Sequence, residues 1–107
     1  MFILPKQLEH SKTAWLAFPL TIKKNAPFSR TDMQIYLEKH NVQTRVVFTG
    51  NILKQPVMKN KIYKYFKECN LVANDVMKNG ILLGCHHGMS ISDVNSICKV
   101  FQKFINK

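Results

Sequence analysis

The chain has 107 residues, a net charge of +10 and 46% hydrophobic residues. That is one domain's length with enough apolar mass for a modest core, which excludes a disordered tail. Pro19, Lys23 and Gly84 interrupt the apolar runs, so no segment reads as a membrane span, and MFILPKQLEH lacks the basic start and long apolar middle of a signal peptide.

TAWLAFPLTIK, residues 13–23, reads as a strand. Ala14, Leu16, Phe18, Leu20 and Ile22 alternate onto one face, while Trp15, Ala17, Pro19 and Thr21 take the other. Pro19 cannot donate to a ladder, so its N–H side should meet an edge or a bulge. Ser29 and Asp32 then form a capping pair for a helix running to about His40. Met33, Tyr36, Leu37 and His40 share its face, and Asn41 stands where a left-handed stop residue would. VQTRVVF, residues 42–48, is a second strand, with Val42, Thr44, Val46 and Phe48 on one face and Gln43, Arg45 and Val47 on the other. Residues 49–69 are irregular, with a short helix possible around 60–67. A helix over 70–78 is stopped by Asn79 and Gly80, and ILLGC, residues 81–85, is a short buried strand. Ser90 and Asp93 cap the last helix, whose stripe is Val94, Ile97, Cys98, Phe101, Phe104 and Ile105. Together these patterns predict a single α+β domain over residues 1–107. Its sheet of about three strands, mainly antiparallel, forms one layer and the helices pack on one face.

The three cysteines, Cys69, Cys85 and Cys98, make an odd count with no CxxC pair. Free, mostly buried thiols in a reducing cytoplasm are the simplest reading, and no metal site is expected. The positive charge is mostly lysine spread along the chain, with only Arg30 and Arg45 as arginines, which disfavours a nucleic-acid partner. KNKIYKYFK, residues 59–67, is the one stretch that interleaves bases with aromatics, and it leaves a stand-alone basic module, for nucleic acid or an acidic protein, as the alternative reading. No nucleophile, base and orienting group fall together, and no phosphate loop occurs, so catalytic residues are not assigned. CHHGMS, residues 85–90, forms a strand-to-helix corner that is either an anion seat or a tight turn.

TAWLAFPLTIK, then FSRTDMQIYLEKHNVQTRVVFTGNILKQP, then ILLGCHHGMSISDVNSICKVFQKF, resembles the C-terminal part of the sugar aminotransferases of fold type I, the DegT/DnrJ/EryC1/StrS family. The TR-x-x-F-x-GN-x-x-x-QP pattern is most similar to the CDP-4-keto-6-deoxyglucose 3-dehydrase branch of lipopolysaccharide sugar synthesis. The resemblance implies the small domain only, a cytoplasmic piece that is inactive alone. It implies no cofactor in this chain, with pyridoxal or pyridoxamine phosphate (PLP or PMP) held by the large domain of a parent enzyme. It also implies a nucleotide-linked keto sugar as ligand and a dimeric parent, and it leaves a monomer open for the isolated domain. The segment from Arg45 to Pro56 would face the cleft. Arg45 would offer a forked cation to the sugar nucleotide or a carboxylate, and Asn51 and Gln55 would fix the ligand or the loop itself. His87 completes the expected substrate-binding set. No membrane partner is expected.

Overall fold

Both predicted capping boxes form in the computed structural model, which describes residues 1–106. The Ser29 and Ser90 hydroxyls each accept the N–H three residues on at 3.2 Å, and Asp32 and Asp93 accept the serine N–H groups at 3.1 and 2.8 Å. Each box satisfies two donors that a helix start leaves open. Helices α1 (Arg30–Lys39) and α3 (Ile91–Ile105) follow them. Asn41 ends α1 in the predicted left-handed conformation, φ 61°. Helix α2 (Lys67–Asn79) starts earlier than expected, and residues 61–66 before it form neither helix nor strand.

The sheet has four antiparallel strands in the order β1-β2-β4-β3: β1 (Phe2–Ile3), β2 (Ala17–Ile22), β3 (Thr44–Val46) and β4 (Gly80–Gly84). Strand β1 is the addition to the expected set, too short to show a period of two. Strand β2 starts at Ala17 rather than residue 13 because its partner β4 stops at Gly84, directly opposite Ala17. β3 is shorter than predicted for a local reason. Phe48 takes φ 41°, which breaks the alternation and turns its ring into solvent. Beside Pro19 the β1 side of β2 has no partner strand, since β1 pairs only with Thr21 and Ile22. The missing N–H therefore costs no ladder bond there.

One face of the sheet carries the core. Leu20 and Ile22 of β2, Ile81 and Leu83 of β4, Met33 and Leu37 of α1, and Val42 are buried together. Helix α3 closes this layer with Ile97, Val100, Phe101 and Phe104. Phe2 bridges Phe28 and Phe101 at ring separations of 6.0 and 5.8 Å, and Phe28 meets Phe104 edge-on at 4.8 Å. His40 lies at the helix end as expected. It stacks on Tyr36 at 4.1 Å, and its Nδ1 sits 2.8 Å from the Tyr36 carbonyl. The α3 stripe is only partly core. Val94 and Cys98 are exposed, because an apolar groove stays open between α3 and the end of the sheet. The expectation of mostly buried thiols is corrected accordingly: Cys69 and Cys98 are exposed and Cys85 is half-buried, all three free.

Helix α2 contributes no residue to this core. Arg30 anchors its end instead, donating from Nη1 to the Met77 carbonyl at 2.8 Å. That carbonyl belongs to the last turn, where the helix leaves acceptors unpaired and favours a cation. Gly80 is not the left-handed stop that Asn79-Gly80 suggests, since its backbone is extended. A side chain there would place its Cβ 2.5 Å from the Val76 oxygen and 2.8 Å from Val47 Cγ2, so glycine is needed for close approach.

Three carboxylates tie their stability contribution to pH. Hydrogen bonds from Ser29 and Ser90 hold Asp32 and Asp93 below the usual carboxylate range. Glu38 is lowered by donation from the Thr44 N–H and hydroxyl, at 2.7 and 2.9 Å, where its carboxylate satisfies the open edge of β3. Folded values below unfolded ones mean that this stabilisation is present above the ordinary carboxylate range and is lost as pH falls through the folded values. The thermal midpoint should therefore hold near neutrality and drop below about pH 4. In a Ser29→Ala, Ser90→Ala double variant, thermal scans across pH should show a shallower acid drop. An equally steep drop would contradict this account.

Candidate substrate face and the loop beside it

Alternation along the segment leading into β3 turns Gln43 and Arg45 away from Val42 and Thr44, which are buried. Arg45 is exposed, but it is not loose. Its Nη1 donates to the Thr44 carbonyl at 2.9 Å, and the Gln43 amide oxygen, oriented toward it, accepts from Nη2 at 2.7 Å. These bonds orient the guanidinium fork without burying it. Arg45, Gln43, Asn41 and His86 line a depression of about 410 Å³ together with apolar residues that include Ala17, Leu82 and Met89. A fixed cation, an imidazole and two amides in one apolar-lined depression suit an anionic ligand that also carries a ring.

The histidine at this depression is His86, not the expected His87, which is exposed elsewhere on the turn. After β4 ends at Gly84, the Gly88 N–H donates to His86 Nδ1 at 3.2 Å and pins the ring. In the neutral imidazole the proton then sits on Nε2, which is left as a donor. The strand ends between Leu83 and this turn, so period two could not tell the neighbouring histidines apart. The 85–90 corner resolves in favour of the tight turn. The Asp93 carboxylate already occupies the start of α3, and His86 nearby helps to keep it ionised.

Asn51 and Gln55 both make hydrogen bonds that hold the loop. Asn51 is buried. Its Oδ1 accepts the Leu53 N–H at 3.0 Å, and its Nδ2 donates to Asn70 Oδ1 at 2.6 Å and Asn74 Oδ1 at 2.9 Å. Both ends of its amide are thus engaged within the protein, in keeping with the loop-holding role that is one of the two expected for it. Gln55 donates from Nε2 to the Thr49 carbonyl at 2.7 Å and closes the same loop. Gly50 has φ 66°, and a Cβ on it would lie 2.4 Å from Met77 Cγ, so the loop can press on α2 only through glycine. Pro56 opens a second 3₁₀ turn, Pro56–Met58, after the first, Ile52–Lys54. The loop is thus a brace between β3 and α2, with Arg45 at its strand end.

The residues present do not make a pyridoxal site. A Schiff-base lysine is a desolvated one, yet every lysine among the described residues is exposed. Neither the Arg45 depression nor the apolar groove is lined by a lysine or a carboxylate. Among the described residues no cluster of three or more metal-ligating side chains forms.

Comparison with known proteins finds relatives much longer than this chain. The lipopolysaccharide biosynthesis protein RfbH of Salmonella typhimurium is 28% identical over 102 residues, which is 94% of this chain but 23% of that protein. The dTDP-4-dehydro-2,6-dideoxy-D-glucose 3-dehydratase of Saccharopolyspora spinosa is 26% identical across 98% of this chain and 22% of its own length. Among solved structures, the E. coli GDP-4-keto-6-deoxy-D-mannose-3-dehydratase with bound hydrated PLP superposes with a TM-score of 0.70. It is 26% identical, and the match covers 91% of this chain and 25% of that one. A DegT DnrJ EryC1 StrS aminotransferase from Brucella abortus shares the fold at a TM-score of 0.81 and 16% identity, over 99% of this chain and 26% of its own. The chain thus spans about a quarter of the length of its relatives, in their C-terminal part. The sequence profile of one family matches residues 1–102, nearly the whole of a fold that superposes on that family's solved members, and the chain belongs to the DegT/DnrJ/EryC1/StrS aminotransferase family.

Proposed function

We propose that this chain serves as the substrate-side domain of a PLP- or PMP-dependent nucleotide-sugar dehydratase or aminotransferase of lipopolysaccharide synthesis, inactive alone. The reading rests on the family match and on relatives whose names specify nucleotide-linked sugars and their 3-dehydration. The observation that carries it is the Arg45 fork, oriented by Gln43, in an open depression that His86 and apolar side chains also line. Arg45 binds an anionic group of the substrate, a diphosphate or a carboxylate, through parallel N–H bonds. His86 adds a ring nitrogen, and Leu82 and Met89 seat a ring. Asn51 and Gln55 hold the brace behind Arg45. The cofactor, bound to the remaining part of the parent, supplies the electron sink for the bond cleavage.

A chimera tests this. Exchange the matching quarter of the Salmonella relative for this chain and compare it with its Arg45→Lys version. Lysine keeps the charge but loses the fork, so kcat/KM should fall by about tenfold or more with the thermal midpoint unchanged. Equal kcat/KM in the two chimeras would contradict the assignment.

A further inference from the structure

KNKIYKYFK, residues 59–67, takes no part in the core or in the Arg45 depression. All nine of these residues are exposed, and residues 61–66 are neither helix nor strand. Asn60 enters the stretch in the left-handed conformation, φ 68°. Ile62 is 106% exposed, Phe66 79%, Tyr65 57% and Tyr63 42%, interleaved with Lys59, Lys61, Lys64 and Lys67. Leu71 and Val72, early in α2, extend the run of exposed apolar residues. From Glu38 to Glu68 there is no other acidic residue, and the chain between them carries seven basic ones.

We propose that this segment docks on an anionic lipid surface. Charge complementarity and the mix of side chains both favour lipid. Lysine stems can lie along the acyl boundary with their ammonium groups at the phosphates, while Ile62 and Phe66 enter the interface. Each lysine near such a surface adds to the attraction, and the attraction is confined to about a Debye length. Single-stranded RNA fits less well. Its bases stack on π-faces, which Ile62 does not offer, and the segment has no arginine. The expectation of no membrane partner rested on span length. No helix among the described residues is long and apolar enough to cross a membrane, but a surface-bound segment needs no span. This inference does not depend on the sugar-nucleotide reading.

Co-sedimentation of the full chain with phosphatidylcholine vesicles, with and without phosphatidylglycerol, tests it. Binding should require phosphatidylglycerol and weaken with salt. It should fall by about tenfold or more in a Lys59→Gln, Lys61→Gln, Lys64→Gln variant. An Ile62→Ser, Phe66→Ser variant should also bind less, with an unchanged circular dichroism spectrum. In the unmodified chain, vesicles should slow amide exchange over 59–67 and leave β3 unaffected. Three results would each overturn the proposal: equal binding to neutral vesicles, protection mapping elsewhere, or a preference for single-stranded RNA over vesicles through the same residues.

Discussion

Ile81→Ala is expected to cost about 2–5 kcal/mol, the usual range for truncating a fully buried aliphatic side chain. Ile81 lies on β4, between β2 and β3, opposite Leu20 on one side and Val46 on the other. It is completely buried, one of seven buried hydrophobic residues among the described residues. A domain of this size holds about 5–15 kcal/mol in all, so the loss takes a large share of it. The core is small and one-sided, and the groove beside α3 gives it little to collapse onto. Urea unfolding should show the midpoint falling sharply at unchanged slope. Leu16→Ala, on an exposed side chain before β2, should stay within about 0.5 kcal/mol. A loss under about 1 kcal/mol for Ile81→Ala would contradict the placement of the core.

The second large effect comes from a polar residue. Asn51→Ala should destabilise by about 1–3 kcal/mol, since it leaves the Asn70 and Asn74 oxygens and the Leu53 N–H without their partner. The damage should be local. Amide exchange should speed up in the 49–58 loop and the first half of α2 before it does so in β2 or β4. Gln55→Ala, at a solvent-facing bond, should change stability by less than about 0.5 kcal/mol. If Asn51→Ala were as mild as Gln55→Ala, the loop would not be the brace described above.

Local chemistry made much of the fold legible. Ser29 with Asp32 and Ser90 with Asp93 announced two helix starts because a capping box is written within four residues. Asn41 announced a stop for the same reason. The limits of the strands were not legible, because they depend on partners. Residues 13–16 continue the pattern of β2 but find no residue of β4 opposite them. The family resemblance and the exposed Arg45 were readable from TR-x-x-F-x-GN-x-x-x-QP and from alternation along β3. The asparagine trio was not. Asn70 and Asn74 are separated from Asn51 by 19 and 23 residues, and only folding shows that the Asn51 amide points inward. That His86 and not His87 lines the depression depends on the course of the turn after β4, which no periodicity encodes.

Titration of the isotope-labelled chain with a nucleotide-linked sugar, followed by amide chemical shifts, reads the substrate face most directly. Saturable shifts should appear at residues 41–45, should vanish in Arg45→Ala, and should leave Phe2, Phe101 and Ile105, which line the α3 groove and not the depression, silent. Shifts that gather in that groove instead, or that persist unchanged in Arg45→Ala, would contradict the assignment of this face to the sugar nucleotide.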